Sequence, residues 1–169
     1  MPKRKRKNNL LTVTLTLVLI LIAVALARNY ASGRVLSGFT ENTVELDNID
    51  LKYDPNPTLY FSKDCSGIKM GVTNDQAFSI REALTRNMFT RPLTHDLMID
   101  VLNSFRVKLV YAKIDDIKDG IYTAKLLFYD GATLHEADAR PSDMASLTLR
   151  FGNSFSISNR LLSNMTNIC

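Results

Sequence analysis

The sequence predicts an α+β domain, mostly antiparallel sheet with about three helices, preceded by one apolar N-terminal helix. Three observations predict it. Leu10 to Ala27 runs 18 residues without a charge, far longer than a strand. Downstream, short alternating strands surround two capped helical patterns, with no βαβ series. The later strands are joined by only a few residues, which suits an antiparallel meander.

The chain is also divided by charge. It holds 21 Lys and Arg against 17 Asp and Glu, a formal +4. Lys3, Arg4, Lys5, Arg6, Lys7, Arg28 and Arg34 all precede residue 35, and every acidic residue follows it. Residues 35–169 therefore hold 14 basic and 17 acidic side chains, a net −3. Nucleic-acid binders carry a basic footprint. This domain needs a local patch against its net charge.

Residues 1–9 read as a basic cytoplasmic tail and 10–27 as a transmembrane helix or signal anchor. Eighteen helical residues rise about 27 Å, close to a hydrocarbon core of roughly 30 Å. Only Thr12, Thr14 and Thr16 interrupt the apolar surface, and their hydroxyls can bond carbonyls one turn back. The rival is a cleaved signal peptide ending at Ala25-Leu26-Ala27, which would release a secreted domain. The apolar run is long for a signal core, so an anchor in the bilayer is preferred. Five basic residues ahead of the helix exceed the two after it, which puts the domain outside the cytoplasm. Residues 28–42 read as a small, polar linker. Cys65 and Cys169 form no motif and read as unpaired thiols. Asn164-Met-Thr166 is a lone sequon.

The domain follows, over 43–163, with a short tail at 164–169. Val44, Leu46, Ile49 and Leu51 alternate with a slip near Asn48, one bulged strand. Asp-Pro-Asn-Pro at 54–57 is a turn. Two short strands flank the turn at 63–67. Thr73 and Gln76 form a capping box that starts the first helix. Pro92 ends what precedes it, and Thr94 caps a second helix. There Leu97, Val101 and Leu102 line one face, and Asp96 meets the helix dipole. Strands over 106–115 and 121–130 flank a turn, and a third covers 132–140. A third helix starts near Ser142 and stops at Gly152, which suits a left-handed C-cap. A short strand and a helical turn close the chain.

One cluster carries the chemical question. In Asp138-Ala-Arg-Pro-Ser-Asp143, strand geometry puts Glu136, Asp138 and Arg140 on one face. Asp138 and Arg140 can pair, while Ser142 and Asp143 cap and charge the next helix. The same geometry offers backbone donors and Arg140 to an anion, and Asp138 and Asp143 to a divalent metal. His95 and Asp96 join them if the two helix starts converge. There is no phosphate-cradling glycine loop, no GxSxG elbow and no HExxH helix. No aromatic residues interleave with basic ones as on a single-strand binding sheet.

The stretches RPLTHDLMIDVLNSF, KDGIYTAKL, EADARPSDMASLTLRFG and SISNRLL, in this order and spacing, resemble the bifunctional nuclease domain family. The resemblance covers about residues 43–163. It implies a compact α+β domain linked with nuclease activity on DNA and RNA. It supplies no established catalytic set, so the matching motif positions are the candidates: Arg91, Pro92, Thr94, His95 and Asp96, then Asp138, Arg140, Pro141, Ser142 and Asp143. His95, Asp96, Asp138 and Asp143 are taken as catalytic, and Arg91, Arg140 and Ser142 as substrate-binding. Asp138 and Asp143 are the expected ligands for a divalent metal, Mg²⁺ or Mn²⁺. Two departures stand out. Asn74-Asp75 replaces a Glu-Ala pair at the first helix, and Met144 replaces a small residue. The competing expectation is a non-catalytic binding or homo-oligomeric assembly domain at the membrane.

Overall fold

The computed structural model describes residues 4–86 and 91–168. The chain divides into two units, Met1–Phe39 and Thr40–Cys169.

The first unit is helical. Helix α1 (Arg4–Thr40) has 37 residues, about 55 Å at 1.5 Å per residue. Its stretch Leu11–Thr40 is long and apolar enough to cross a membrane, with a mean hydropathy of 2.4 in its most apolar window. The Thr14 and Thr16 hydroxyls donate to the carbonyls of Leu11 and Val13, at 2.9 and 2.8 Å. The expected linker at 28–42 is instead helical as far as Thr40. Gly33 and Gly38 each weaken a helix by about 1 kcal/mol. A helix already nucleated propagates through such residues at one hydrogen bond per step. The Arg34 guanidinium over the Tyr30 ring, 5.7 Å from its centroid, adds an i,i+4 contact.

The second unit holds two sheets. The expected single bulged strand is two strands, β1 (Thr43–Leu46) and β2 (Asn48–Tyr53), separated at Asp47. The slip in apolar alternation changes the buried face, and the chain resolves it by sending each half to a different sheet. β2 pairs with β3 (Pro57–Lys63), which pairs with β4 (Ser66–Gly71). The other sheet has the order β1-β8-β5-β6-β7. Its centre is the meander β5 (Lys108–Lys118), β6 (Ile121–Tyr129) and β7 (Leu134–Ala139), with β8 (Phe155–Ser158) parallel to β5. β5 runs further than expected, so the turn into β6 is only Asp119-Gly120. Both residues have positive φ, 51° and 77°, as a two-residue hairpin of primed type requires.

Helices α2 (Asn74–Thr85), α3 (Thr94–Ser104) and α4 (Pro141–Phe151) complete the unit. The capping box at α2 is present in both directions: Thr73 N–H donates to Gln76 Oε1 at 2.8 Å, and Gln76 N–H donates to Thr73 Oγ1 at 3.3 Å. Gly152 ends α4 in the left-handed region, φ 72°. The core gathers Leu59, Phe61 and Ile68 from one sheet, Ala112, Ile114, Leu126 and Ile157 from the other, and Ile80, Met144 and Leu147 from the helices. Phe61 and Phe155 meet edge-on, ring centroids 5.5 Å apart.

Two helix starts differ from expectation. Leu93, not Thr94, is the N-cap of α3, and its N–H is satisfied by Asp96 Oδ2 at 2.8 Å. Arg140 is the N-cap of α4 and Ser142 lies inside its first turn. Pro141 takes the first helical position, where its fixed φ and missing N–H cost nothing, and this moves the cap back from Ser142. On α3, Leu102 packs on the core with Ile99, whereas Leu97 and Val101 face outward.

The cysteine expectation is also corrected, because Cys65 is disulfide-bonded. The only other cysteine is Cys169, which lies outside the described residues. The C-terminal strand β9 (Thr166–Asn167) lies beside Cys65, paired with Ser66 and Gly67 of β4. Ile168 N–H donates to Cys65 O at 3.0 Å. Gly67 is what admits this segment. A Cβ there would stand 2.6 Å from the Phe61 carbonyl oxygen and 2.8 Å from Ile168 Cδ1. Gly67→Ala is expected to destabilise the domain by about 1–3 kcal/mol through overpacking, read as a lower midpoint in chemical denaturation.

Candidate functional site

The two helix starts do converge. α4 begins as β7 ends, and α3 begins after Pro92, so the N-terminal turns of both helices bring short polar side chains together over α2. His95 Nε2 is 3.5 Å from Asp143 Oδ1, and His95 Nδ1 is 2.9 Å from Ser79 Oγ on α2. Arg140 grips Asp143 with both edges of its fork, Nε to Oδ2 at 2.6 Å and Nη2 to Oδ1 at 3.1 Å. Such bidentate pairs are directional as well as strong. The Arg140 side chain stays 70% exposed, against 20% for His95 and 26% for Asp143. The group therefore lies at the surface with its cation outermost.

Arg150 supports the group from below. Its side chain is 9% exposed. It donates to Asp96 Oδ1 on α3, to the Ser79 carbonyl on α2 at 3.2 Å and to the Ser146 carbonyl at 3.0 Å. One guanidinium thus joins three helices. Asp96 is shared between Arg150 and the Leu93 N–H. Burial pushes the Asp96 carboxyl up, but these bonds outweigh it and hold it below its ordinary value. Arg150→Met leaves Asp96 and two carbonyls without this partner. It is expected to destabilise the fold by about 3 kcal/mol, the lower end for breaking a buried pair because Asp96 is partly solvated. Equilibrium unfolding in urea measures it.

Electrostatics decide the charge of His95. Burial holds the imidazole below its ordinary value of 6.5; the Asp143 carboxylate pulls it up and Arg150 pushes it further down. The ring is neutral at pH 7 and able to accept a proton. Because the folded value is depressed, this group's contribution to stability is present above about pH 6.5 and is lost as pH falls through the folded midpoint. NMR titration of the His95 ring is expected to give a midpoint below 6.5, and Asp143→Asn, which removes the favourable carboxylate, a lower one still.

The remaining sequence candidates fall elsewhere. Asp138 does not pair with Arg140, which turns to Asp143 instead. Asp138 is exposed on β7 across from Lys125. Leaving the strand for the helix rotates Arg140 away from the face of Asp138. Ser142 is buried in the first turn of α4 and makes no cap bond. Arg91 is exposed ahead of α3, and no bond ties it to the group among the described residues. Ser79 and Arg150 escaped sequence reading. Each sits within an ordinary helical pattern, and no local spacing marks either one.

The donor set does not fit a metal cage built by the protein. Both Asp143 oxygens are held by Arg140, and Asp138 stands apart on its strand. Among the described residues no group of three or more His, Cys, Asp or Glu side chains could hold a metal ion. A concavity of about 460 Å³ lies elsewhere, lined by the Asp47 break, Leu84 and Asn153–Phe155. It shares no residue with the His95 group.

Two curated proteins from strains of Mycobacterium tuberculosis, both described only as uncharacterized, are 37% identical to this chain over 62 residues. The match covers 37% of this chain and 36% of each relative, so the chain spans little more than a third of their length. A family model described as the bifunctional nuclease domain matches residues 62–167. That interval contains α2, α3, the β5–β7 meander and α4, every element that builds the His95 group. The chain belongs to the bifunctional nuclease domain family.

Proposed function

We propose that the Thr40–Cys169 unit is a nuclease domain that cleaves phosphodiester bonds of nucleic acid, with His95 as general base, Asp143 as its electrostatic partner and Arg140 as the phosphate-binding cation. The observation that carries this reading is the meeting of the α3 and α4 starts, which sets a neutral imidazole 3.5 Å from a carboxylate that also anchors an exposed guanidinium. Phosphodiester cleavage needs a group to take the nucleophile's proton and a cation to meet the charge that builds on the phosphate. No step is assigned to a metal, and Mg²⁺ or Mn²⁺ enters as a variable of the assay. The test is cleavage of single- and double-stranded DNA and RNA by the full chain in detergent, with Mg²⁺, Mn²⁺ or EDTA. No cleavage by correctly folded protein would refute the proposal.

We further infer that α1 anchors this domain on the extracytoplasmic side of a membrane. The excess of basic residues ahead of the helix supports that orientation. The disulfide at Cys65 independently supports an oxidising compartment. Accessibility of the domain to protease added to intact cells tests it, and full protection would refute it.

A second reading is favoured by a different observation. α3 buries none of its residues, and Leu97, Met98, Val101 and Phe105 are 55%, 43%, 47% and 73% exposed. A helix with apolar residues on this outer side suits self-association or a protein partner. Light scattering of the full chain in detergent, with Val101→Asp for comparison, distinguishes an oligomer that uses this face from a monomer.

A further inference from the structure

We propose that the outer face of α3 is the contact between two copies of this chain, paired antiparallel about a two-fold axis, and that the pairing brings the partner's Arg106 beside the His95 group. The inference rests on the second reading above and names its partner.

The spacing of the exposed residues leads to it. Thr94, Met98, Val101 and Phe105 are all exposed and follow one another at intervals of four, three and four residues. That is the a/d repeat of a helix–helix seam. Leu97 flanks it, also exposed. Ile99 and Leu102 already hold α3 on its own core. One apolar stripe is enough to dock a helix in its domain, so the second stripe calls for a surface outside the domain. The patch is on the order of 400 Å², a size that marks interaction sites. Two such patches with their polar rims reach the low end of specific interfaces, about 1,200 Å² in total. Anchoring both copies in one bilayer raises their effective concentration, so an interface of this size is sufficient.

Charge selects a second copy and its direction. α3 holds Asp96 and Asp100 and no Lys or Arg, while exposed Arg106 and Lys108 follow its end. The same short stretch therefore carries an acidic helix and a basic end. Parallel copies would set like charges together. Antiparallel copies set the acidic helix of one against the basic end of the other, and oppose the two helix dipoles. The a/d layers of an antiparallel pair place Met98 over the partner's Val101, and Thr94 over the partner's Phe105. Arg106 comes directly after Phe105 and turns out of the helix in the left-handed region, φ 58°. The partner's Arg106 therefore lies at the start of α3, where His95 and Asp96 stand. Each His95 group gains a cation that its own chain does not place there. This meets part of the need for a local basic patch on a region whose net charge is −3.

The experiment uses the full chain in detergent. Light scattering gives the mass of the wild type and of Val101→Asp, and circular dichroism checks that the variant keeps its fold. Two differently tagged copies, one with Thr94→Cys and one with Arg106→Cys, are then co-expressed and treated with a short thiol cross-linker. No free cysteine competes among the described residues. In the antiparallel pair the two Thr94 positions stand about 16 Å apart along the axis, beyond such a linker. The expected result is a two-chain mass for the wild type, a one-chain mass for Val101→Asp, and cross-linking between unlike copies only. A dimer that persists in Val101→Asp, cross-linking between two Thr94→Cys copies, or a dimer with no cross-link between unlike copies overturns this inference while leaving self-association. A wild type that is monomeric at micromolar concentration overturns both and leaves the face to a different protein.

Discussion

His95→Gln is expected to lower cleavage by about 10²–10⁴-fold while the protein remains folded. Gln is close in length to His and keeps a polar group towards Ser79, but it has no nitrogen that accepts a proton near pH 7. The ring is 20% exposed at its edge and its partners are two side-chain contacts, so its loss opens no cavity in the core. The base is therefore removed with little disturbance to the helices. Circular dichroism and a thermal melt check the fold, and initial rates check the activity. Asp143→Asn is expected to lower the rate less, because the imidazole survives without the charge that steadies its protonated form. A variant His95→Gln that cleaves at the wild-type rate removes His95 from the mechanism and sinks the proposed site.

Cys65→Ser is expected to cost about 4–5 kcal/mol of stability. Cys65 is disulfide-bonded, and the chain's other cysteine, Cys169, is roughly 100 residues away. In the chain-entropy account, a loop of that size lost from the unfolded ensemble corresponds to about 4.7 kcal/mol. The local structure shows why the covalent tie is needed there. β9 contributes only Thr166 and Asn167 to its sheet, and two residues of ladder cannot repay the backbone entropy of holding the C-terminus. Reductant is expected to lower the melting temperature of the wild type and leave Cys65→Ser unchanged. Equal melting of both proteins with and without reductant contradicts this assignment. Bonds of this kind persist mainly in oxidising compartments.

Much of the architecture was legible in local pattern. The Thr73–Gln76 box, the Gly152 stop and the meander all follow from interactions within a few residues, which sequence displays directly. The errors came where a long-range partner intervened. Residues 43–53 alternate like one bulged strand, yet β8 claims the first half and β3 the second. Residues 28–40 look like linker by composition, yet they extend a helix nucleated upstream. The pairing of Cys65 could not be read from spacing, because its neighbour β9 is brought to it by the sheet.

The candidate site divides the same way. By itself the sequence determined the fold class, the apolar N-terminal helix, the family, and the short list that contains His95, Asp96, Arg140 and Asp143. Those depend on residue type, periodicity and local spacing. Only the tertiary structure decided which of them lie together. It joined His95 to Asp143 across 48 positions, placed Asp138 outside the group, and brought in Ser79 and Arg150, which no motif marks. The physical reason is that a short hydrogen bond or ion pair depends on separations of about 3 Å. Those separations are set by how α2, α3 and α4 pack on one another, and helix packing is a property of whole faces rather than of any stretch of chain.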